Sequence, residues 1–352
     1  MTEKHVLDNL PASEDVVLSI IIPVYNVEPY LEKCLSTVLA CNLTSCEIIL
    51  SLGRSVDGSG EICLNYKREY PIIHILEQSG KGLSNARNCA MDIARGKYIL
   101  FLDSDDYVDS QCLDGLIGRL RDGSISADVV VTDFYRSDSR LGQMAPYFQI
   151  GEDVSLREGM DFLPHMLRRR QCFWNVWRYL YRRKFLEEHQ LRFLENRLSE
   201  DVDFTTGVFL SEPKIVFTHS PYYVYVVGRG QSLMDRPNLK RLSDTVFILE
   251  RSITRLRESE FPYAPQVIAQ FQFEYLLNLA LTVEIDPAER RDALTLYRNW
   301  RQMLTGSTDP AVRWAARIIG VISLKPMGYG LHLLKLLRRR VRKYLPKERR
   351  EI

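Results

Sequence analysis

Residues 98–106 read YILFLDSDD, in which five apolar residues are followed at once by three aspartates within four positions. The apolar run is typical of a strand that is buried on both faces. Neighbouring carboxylates repel one another, so folding them together costs free energy unless a cation or hydrogen-bond donors compensate. Oxygen-rich clusters of this kind suit Mg²⁺ or Mn²⁺, which bind through one or two carboxylates together with substrate phosphates. Capping of the next helix by Asp106 or Asp109 would account for one aspartate but not for three.

The sequence on both sides of this run alternates apolar strands with amphipathic helices. Besides 98–102, strands are predicted at residues 16–22, 47–50, 72–76 and 128–132. The alternation predicts a parallel sheet with helices on both faces and right-handed crossovers. Ligands of such sheets bind beyond the carboxyl ends of the strands. Four polar segments follow strands and are expected at that edge: 23–26, 51–57, 78–82 and 103–106.

The composition of the 352 residues, 45% hydrophobic and 26% charged, is that of a globular protein and excludes collagenous and disordered classes. A net charge of +2 does not indicate a nucleic-acid-binding protein. The seven cysteines include no C-x-x-C pair, and the six histidines are scattered, so neither a zinc site nor a disulfide scaffold is supported. An N-terminus without an apolar core, and the lack of a long uninterrupted apolar run, predict a cytoplasmic location.

Three segments together resemble the inverting GT-A glycosyltransferases of family 2, the bacterial enzymes that build capsular, exopolysaccharide and O-antigen repeats. The first is SIIIPVYNVEPYLEKCL at residues 19–35, and the second is GLSNARNCAMDIARGKYILFLDSDDYVD at residues 82–109. The third, at residues 177–234, is similar to the family's acceptor half through W-x-x-L-Y, E-D-x-x-F and R-x-x-S-[IL]-M. The DSDD element by itself is weak evidence, and in register with the other motifs it is specific.

The resemblance implies an α/β GT-A fold, the nucleotide-diphospho-sugar transferase fold, in which a mostly parallel sheet is flanked by helices. The transferase domain is expected over residues 1–235, with a nucleotide-binding half at about 16–132 and an acceptor half at about 133–235. Helical periodicity predicts a C-terminal helical region over residues 236–352, which ends in a basic amphipathic tail.

The implied activity is the transfer of a hexose, with inversion, from a nucleoside-diphosphate sugar to a glycan in bacterial surface polysaccharide biosynthesis. The acceptor glycan of the family is commonly carried on a membrane lipid. By the same resemblance, Pro23, Tyr25 and Asn26 line the nucleotide pocket, with Tyr25 packed on the base. An aromatic ring beyond a strand end is a flat stacking surface, although a surface turn aromatic is the alternative for Tyr25.

The resemblance assigns the helix after the glycine-rich turn, and the aspartate cluster, to the nucleotide and the metal. Arg87 is expected to pair with Asp103 or to contact the nucleotide, and an ordinary surface salt bridge is the alternative. Asp103 is expected to bind the ribose or the metal, with Ser104 beside it at the nucleotide, and Asp105 to bind the metal, which is Mg²⁺ or Mn²⁺. The metal would stabilise the departing nucleoside diphosphate as a Lewis acid.

One segment departs from the family pattern. After the second strand the family usually has V-D-D-G-S-T-D, whose aspartate hydrogen-bonds uracil, whereas this chain has SLGRSVD at residues 51–57. Leu52 and Gly53 therefore replace both acids, and a shifted register would use Asp57 instead. A UDP-sugar is the donor that the family implies, and the departure leaves open another nucleotide, weaker binding or a catalytically degenerate glycan-binding or scaffold subunit. Arg54 is a further candidate to read a base carbonyl or a phosphate.

An inverting transfer needs a base that deprotonates the acceptor hydroxyl. The family supplies it from an acidic pair, which here is Glu200 and Asp201, and we expect Asp201 to be the base with Glu200 as the second choice. The alternative is structural, because Ser199 followed by two acids is a good helix start. Capping and catalysis are compatible at this position.

Three residues are expected near the acceptor and the diphosphate. Trp177 lies where the family binds the acceptor, although tryptophans such as Trp174 and Trp177, at and just before a strand predicted at 175–181, are more often core residues. Arg229 and Ser232 belong to a segment that resembles the loop closing over the diphosphate. A basic residue there would help to neutralise the charge of the leaving group.

The tail combines an apolar stripe with basic residues. Residues 335–352 carry nine Lys or Arg and two Glu, and the apolar side chains recur at helical spacing at Leu334, Leu337, Val341 and Tyr344. This pattern is typical of a helix that lies on an anionic membrane surface. The alternative is a helix packed on the protein with a solvated basic face. We therefore expect a peripheral location on the inner face of the cell membrane.

Overall fold

The computed structural model describes residues 16–138, 143–148, 162–168, 173–229, 237–321 and 324–344. These residues form two compact units. The first contains the described residues of Met1–Phe162 and Trp174–Arg229, and the second contains those of Leu163–Phe173 and Gly230–Ile352. The aspartate cluster and the acidic pair both belong to the first unit.

The first unit is built on one sheet. Its strands, within the described residues, are β1 (Leu18–Val24), β2 (Cys46–Leu52), β3 (Ile73–Glu77), β4 (Tyr98–Phe101), β5 (Tyr107–Val108), β6 (Val129–Asp138), β7 (Gln143–Phe148), β8 (Tyr179–Arg182) and β9 (Ile215–Val227). They are ordered β3-β2-β1-β4-β8-β6-β9-β5, and β7 pairs with β6. The strands β1 to β4 are parallel, whereas β8 is antiparallel to both of its neighbours. The α/β class is confirmed, and the sheet is mixed beyond β4.

The parallel part of the sheet places the polar segments at one edge. The apolar runs of β1 and β2 are buried along nearly their whole length, which is why they read as uninterrupted β-branched and leucine stretches. The N–H of Gly53 donates to the carbonyl of Val24 at 2.9 Å, and the N–H of Gln78 donates to the carbonyl of Leu52 at 3.0 Å. The segments that follow β1, β2 and β3 are therefore neighbours at the carboxyl edge.

Strand β1 extends through Pro23 to Val24, two residues beyond its predicted end. Leu102 donates its N–H to the carbonyl of Ile21 at 2.9 Å, so Ile21 faces β4. Alternate residues of a parallel strand face the same neighbour, so Pro23 faces that side as well. The β1–β4 ladder therefore ends at Phe101, at the position where proline has no N–H to continue it.

The described helices complete the two units. They are α1 (Glu28–Leu39), α2 (Ser59–Glu69), α3 (Leu83–Ile93), α4 (Ser110–Arg121), α5 (Phe162–Arg168), α6 (Arg183–Glu188), α7 (Glu200–Leu210), α8 (Leu239–Arg257), α9 (Ala264–Leu281), α10 (Pro287–Asn299), α11 (Pro310–Val321) and α12 (Leu324–Tyr344). The second unit consists of α5 together with α8 to α12 and packs around α9, which is buried over most of its length. None of the described helices combines the length and the apolar composition needed to traverse a lipid bilayer.

Candidate active site

Helix α3 carries the arginine that joins the two acidic motifs. Arg87 is only 2% exposed, and its Nη2 donates to Asp103 Oδ1 at 2.8 Å while its Nη1 donates to Glu200 Oε1 at 2.7 Å. The guanidinium also lies over the Phe193 ring, 5.1 Å from its centroid. Arg87 is therefore a buried cation with two carboxylate partners, and not the exposed surface salt bridge that was the alternative. The aspartate cluster and the acidic pair therefore meet at one place.

The asparagines of the same helix bind the segment that leads to the acidic pair. Asn88 and Phe193 exchange two hydrogen bonds, each 2.9 Å long, between the side-chain amide and the backbone. Asn85 accepts from the N–H of Gly80 at 2.8 Å and donates to Glu195 Oε1 at 3.1 Å. The SNARN motif thus fixes the glycine-rich turn and the 193–195 segment to each other. The sequence analysis did not assign this structural role to the two asparagines. The signal that could have revealed it is the run of polar residues in SNARN, of which Asn85 and Arg87 are buried.

The aspartate cluster contains two kinds of carboxylate. Asp103 and Asp105 are 27% and 33% exposed, whereas Asp106 is buried. Asp106 accepts hydrogen bonds from the Tyr223 hydroxyl at 2.6 Å and from the N–H of Val226 at 2.8 Å. Burial, and then the charges of the two neighbouring aspartates, hold the pKa of Asp106 well above its usual range. Asp106 therefore anchors the cluster to β9, and the other two carboxylates reach the solvent-accessible side.

Arg229 contacts the aspartate cluster at the end of the described part of this unit. Its Nη2 lies 2.8 Å from Asp105 Oδ2, and its Nη1 lies 3.2 Å from Asp106 Oδ1 and also bonds the Asp105 carbonyl. Burial, followed by the charge of Asp103, raises the pKa of Asp105, and the guanidinium of Arg229 opposes this shift. Ser232, which was assigned to the same loop, lies outside the described residues.

The acidic pair opens helix α7. Ser199 has a left-handed backbone with φ of 64° and makes no side-chain capping bond to the helix, so the structure contradicts the capping role expected for its hydroxyl. The N–H of Val202 donates to Asp201 Oδ1 at 3.0 Å instead. Burial and then the charge of Glu200 raise the pKa of Asp201 to about 8, although Arg87 lowers it. Glu200 is held in an ion pair with Arg87, and Asp201 is the member of the pair whose pKa is raised.

The segment after β1 contains the residues assigned to the nucleotide. Pro23 is buried, as is Ser104 in the segment after β4, whereas Tyr25 is 62% exposed. Asn26 has a left-handed backbone, and its Oδ1 accepts from the N–H of Val56 at 2.9 Å. The Asn26 side chain therefore holds the segment after β2, and Tyr25 is the residue that offers a free surface.

Asp57 is engaged in the backbone of the same edge. It accepts from the N–H of Glu28 at 3.0 Å and from the N–H of Ser59 at 3.1 Å, and Glu28 in turn accepts from the N–H of Gly58 at 2.8 Å. Burial would raise the pKa of Asp57, but hydrogen bonding from the Ser59 side chain, and then from backbone N–H groups including that of Glu28, outweighs it and lowers the pKa. Asp57 Oδ2 joins this segment to α1 and Oδ1 binds the first residue of α2, so both oxygens are already engaged and a shifted register does not favour Asp57 as a base reader.

Trp177 lies in the aromatic core. Residues 175–181, predicted to be a strand, form a 3₁₀ turn at Val176–Arg178 that leads into β8. The Trp177 ring is buried and stacks on Tyr223 with centroids 4.1 Å apart and on Tyr225 with centroids 5.6 Å apart. A ring packed in this way has no face to offer a sugar, so the expectation that Trp177 contacts the acceptor is wrong.

A mixed α/β sheet with an aspartate cluster at the edge of its parallel strands, and an acidic pair held against that cluster, defines a glycosyltransferase of the GT-A fold. The chain belongs to glycosyl transferase family 2, which residues 19–190 match. The family expected from the PVYN, SNARN and DSDD motifs is thereby confirmed, and with it the activity class.

Relatives by sequence are bacterial glycosyltransferases. The uncharacterized glycosyltransferase EpsJ of Bacillus subtilis (strain 168) is 32% identical over 266 residues, which are 75% of this chain and 69% of EpsJ. The glycosyltransferase GlyA of Streptococcus pneumoniae serotype 4 is 29% identical over 255 residues, and the chain spans only 36% of its length. Among solved structures, S. aureus TarS 1-349 in complex with UDP-GlcNAc matches with a TM-score of 0.66 at 17% identity, covering 90% of this chain and 89% of that one. The TarS similarity establishes the fold.

Proposed function

We propose that the protein transfers a hexose, with inversion, from a nucleoside-diphosphate sugar to a glycan acceptor in bacterial surface polysaccharide biosynthesis. This proposal rests on the two ion pairs of Arg87, because they hold Asp103 and Glu200 on one guanidinium. Donor-binding and proton-accepting groups must lie within one sugar's width of each other, and this arrangement supports that proximity. The transferase domain is proposed over residues 1–235, and the helical region over residues 236–352.

In the proposed reaction Asp201 accepts the proton of the acceptor hydroxyl. Its raised pKa, about 8, places it close to the working range of a general base. Glu200 is bound to Arg87 and therefore serves to position the pair rather than to move the proton. Arg229, which contacts Asp105, is close enough to the cluster to neutralise charge on the departing diphosphate.

The residues present fit a divalent cation that is shared with the substrate. Among the described residues, no group of three or more His, Cys, Asp or Glu side chains could by itself hold a metal ion. Asp103 and Asp105 are the two partly exposed carboxylates of the cluster, and two carboxylates plus phosphate oxygens are the usual ligands of Mg²⁺. Bound Mg²⁺ or Mn²⁺ would supply Lewis-acid stabilisation of the diphosphate.

We propose a UDP-sugar as the donor. The exposed ring of Tyr25 is a stacking surface at the carboxyl edge, where nucleotides bind to parallel sheets. TarS, whose structure contains UDP-GlcNAc, has the same fold.

We further propose that the protein works on the inner face of the cell membrane, where α12 contacts the anionic surface. Leu333 and Leu334 of α12 are 58% and 60% exposed, and Tyr329 is exposed one turn earlier. In the sequence, Leu337 and Val341 continue this stripe among six basic residues between 335 and 343. The start of α12 packs against α9, and the exposed apolar side chains that follow on this basic helix support its contact with a membrane surface. Such a location suits a glycan acceptor that is carried on a lipid.

A panel of nucleotide sugars with Mn²⁺ tests the activity. We expect one UDP-sugar to be hydrolysed slowly without acceptor, and turnover to require both Asp105 and Asp201. Asp105→Asn and Asp201→Asn should retain the fold and lose turnover, whereas Asp92→Asn, an exposed acid on α3, serves as the control. A chain that binds no nucleoside diphosphate would instead be the degenerate glycan-binding or scaffold subunit that the loss of acids at Leu52 and Gly53 favours.

A further inference from the structure

The surface around Tyr25 combines a flat ring with the bare backbone of a glycine. The ring is 62% exposed, and aromatic rings of this kind stack with nucleobases of any sequence. The backbone of Gly53 lies directly against it, because a Cβ added to Gly53 would be 3.2 Å from Tyr25 Cδ2. A base stacked on Tyr25 would therefore have its edge near position 53.

The carboxamide of Gln78 fills the space that a side chain at position 53 would need. A Cβ added to Gly53 would lie 3.0 Å from Gln78 Oε1. Gln78 Nε2 donates to the carbonyl of Gly82 at 2.5 Å, and only the nitrogen end of an amide can donate to a carbonyl. The oxygen is therefore the end that faces Gly53. Among the hydrogen bonds of the described residues none ends on Gln78 Oε1, which leaves an unused acceptor beside the exposed ring.

We infer that Gln78 reads the base, with Oε1 accepting a hydrogen bond from an N–H of the base edge in place of the acids that positions 52 and 53 lack. This inference rests on the proposed function, since it requires a nucleotide donor. Uracil fits, because its N3 carries a hydrogen. Cytosine has the same size and a bare N3, whose lone pair would face the lone pairs of the carboxamide oxygen. Gln78 is thus a specificity-determining residue for a uridine diphosphate donor.

Calorimetric titration of the full chain with UDP and with CDP, each in the presence of Mn²⁺, tests this role. The two ligands share the ribose, the diphosphate and the stacking area. The ratio of their dissociation constants therefore reports the contribution of the base edge alone. We expect wild type to bind UDP roughly tenfold more tightly than CDP. Gln78→Leu should lose most of this preference, because its affinity for UDP falls while its affinity for CDP does not. Glu77→Gln, a change at the exposed neighbouring residue, should keep the wild-type ratio.

A second variant separates base reading from support of the glycine-rich turn. Gln78→Glu keeps an acceptor at this position and removes the donor to Gly82, so it should keep the preference for UDP. If Gln78 only supports the glycine-rich turn, both variants should bind UDP and CDP more weakly by the same factor. That result would overturn the inference. A wild-type protein that binds CDP or GDP more tightly than UDP would also overturn it. Failure of wild type to bind any of the three would contradict the proposed function itself.

Discussion

Arg87 and Glu200 are 113 residues apart in the sequence, and they form a buried ion pair of 2.7 Å. The other half of the guanidinium holds Asp103 at 2.8 Å. One side chain therefore links the nucleotide half of the first unit to the helix that carries the proposed base. Two carboxylates that share a buried cation are each dependent on it, because removal of the cation leaves both charges uncompensated.

We expect Arg87→Gln to damage both stability and turnover. Breaking a buried ion pair by removing one partner costs about 3–5 kcal/mol of unfolding free energy. Arg87→Lys keeps the charge and can bind only one carboxylate well, so it should lie between wild type and Arg87→Gln in both denaturation midpoint and kcat. Arg192→Gln is the matched control, since Arg192 forms an exposed pair with Asp92 and should change either quantity little. Wild-type kcat in Arg87→Gln would contradict the proposed coupling.

The motifs predicted the composition of the site, whereas its connections required the structure. The strand runs and the periodic helices placed DSDD and PVYN at one edge of the sheet, because parallel strands end together. That Arg87 would reach Glu200 as well as Asp103 depends on the path of residues 193–199, where Asn196 and Ser199 adopt left-handed backbones. Such conformations depend on tertiary contacts more than on local sequence, so the sequence could not give the geometry of this segment.

The sequence also could not show which individual residues of the motifs are buried in the core and which are accessible. Asp105 and Asp106 are adjacent and chemically identical, and only the partners of Asp106 on β9 distinguish this anchor from the proposed metal ligand Asp105. Trp177 resembled an acceptor contact in the motif, and its neighbours Tyr223 and Tyr225 place it in the core. Burial by residues distant in sequence decides such cases.

The rate of transfer should depend on pH through Asp201. A base acts only when it is deprotonated, and the pKa of Asp201 is raised to about 8. We therefore expect kcat/KM to rise about tenfold per pH unit below pH 8 and to level off above it. Stopped assays between pH 6 and pH 9.5 would measure this, with Asp201→Asn as a control whose residual rate should not follow the same curve. A flat profile for wild type would remove Asp201 from the role of base.

Asp201→Asn should be more stable than wild type at pH 8 although it is inactive. The folded-state pKa of Asp201 lies above its unfolded value, so the folded protein loses stability as the pH rises from about 4 towards 8. An amide at this position avoids that loss. We expect the melting temperature of the variant to exceed that of wild type by several degrees at pH 8, since 1 kcal/mol corresponds to about 2–4 °C in a domain of this size. The difference should shrink towards pH 4, and a variant that melts lower at pH 8 would count against the raised pKa of Asp201.

The two adjacent aspartates of the cluster should respond differently to substitution. Asp106→Ala removes the acceptor of two buried donors, the Tyr223 hydroxyl and the Val226 N–H, which costs about 1–3 kcal/mol for each group left unpaired. Asp105→Ala removes a partly exposed carboxylate and should leave the unfolding free energy nearly unchanged, while the affinity for Mn²⁺ in the presence of UDP falls. Urea denaturation and Mn²⁺ titration followed by electron paramagnetic resonance measure the two effects. Equal losses of stability in both variants would contradict the division of roles.

The exposed face of α12 gives the last test. Tyr329, Leu333 and Leu334 form an apolar surface at the start of the basic stripe, and burying such side chains in a bilayer interface stabilises binding by about 1.5–3 kcal/mol each at most. We expect the double substitution Leu333→Ser and Leu334→Ser to reduce sedimentation with vesicles of anionic phospholipid at least roughly tenfold. Leu277→Ser on α9, which is also exposed, should bind like wild type.

Because each basic residue near the surface adds about 1 kcal/mol, binding should also fall when salt is raised or when neutral lipid replaces anionic lipid. Undiminished sedimentation of the double variant would mean that this face of α12 is not the membrane contact.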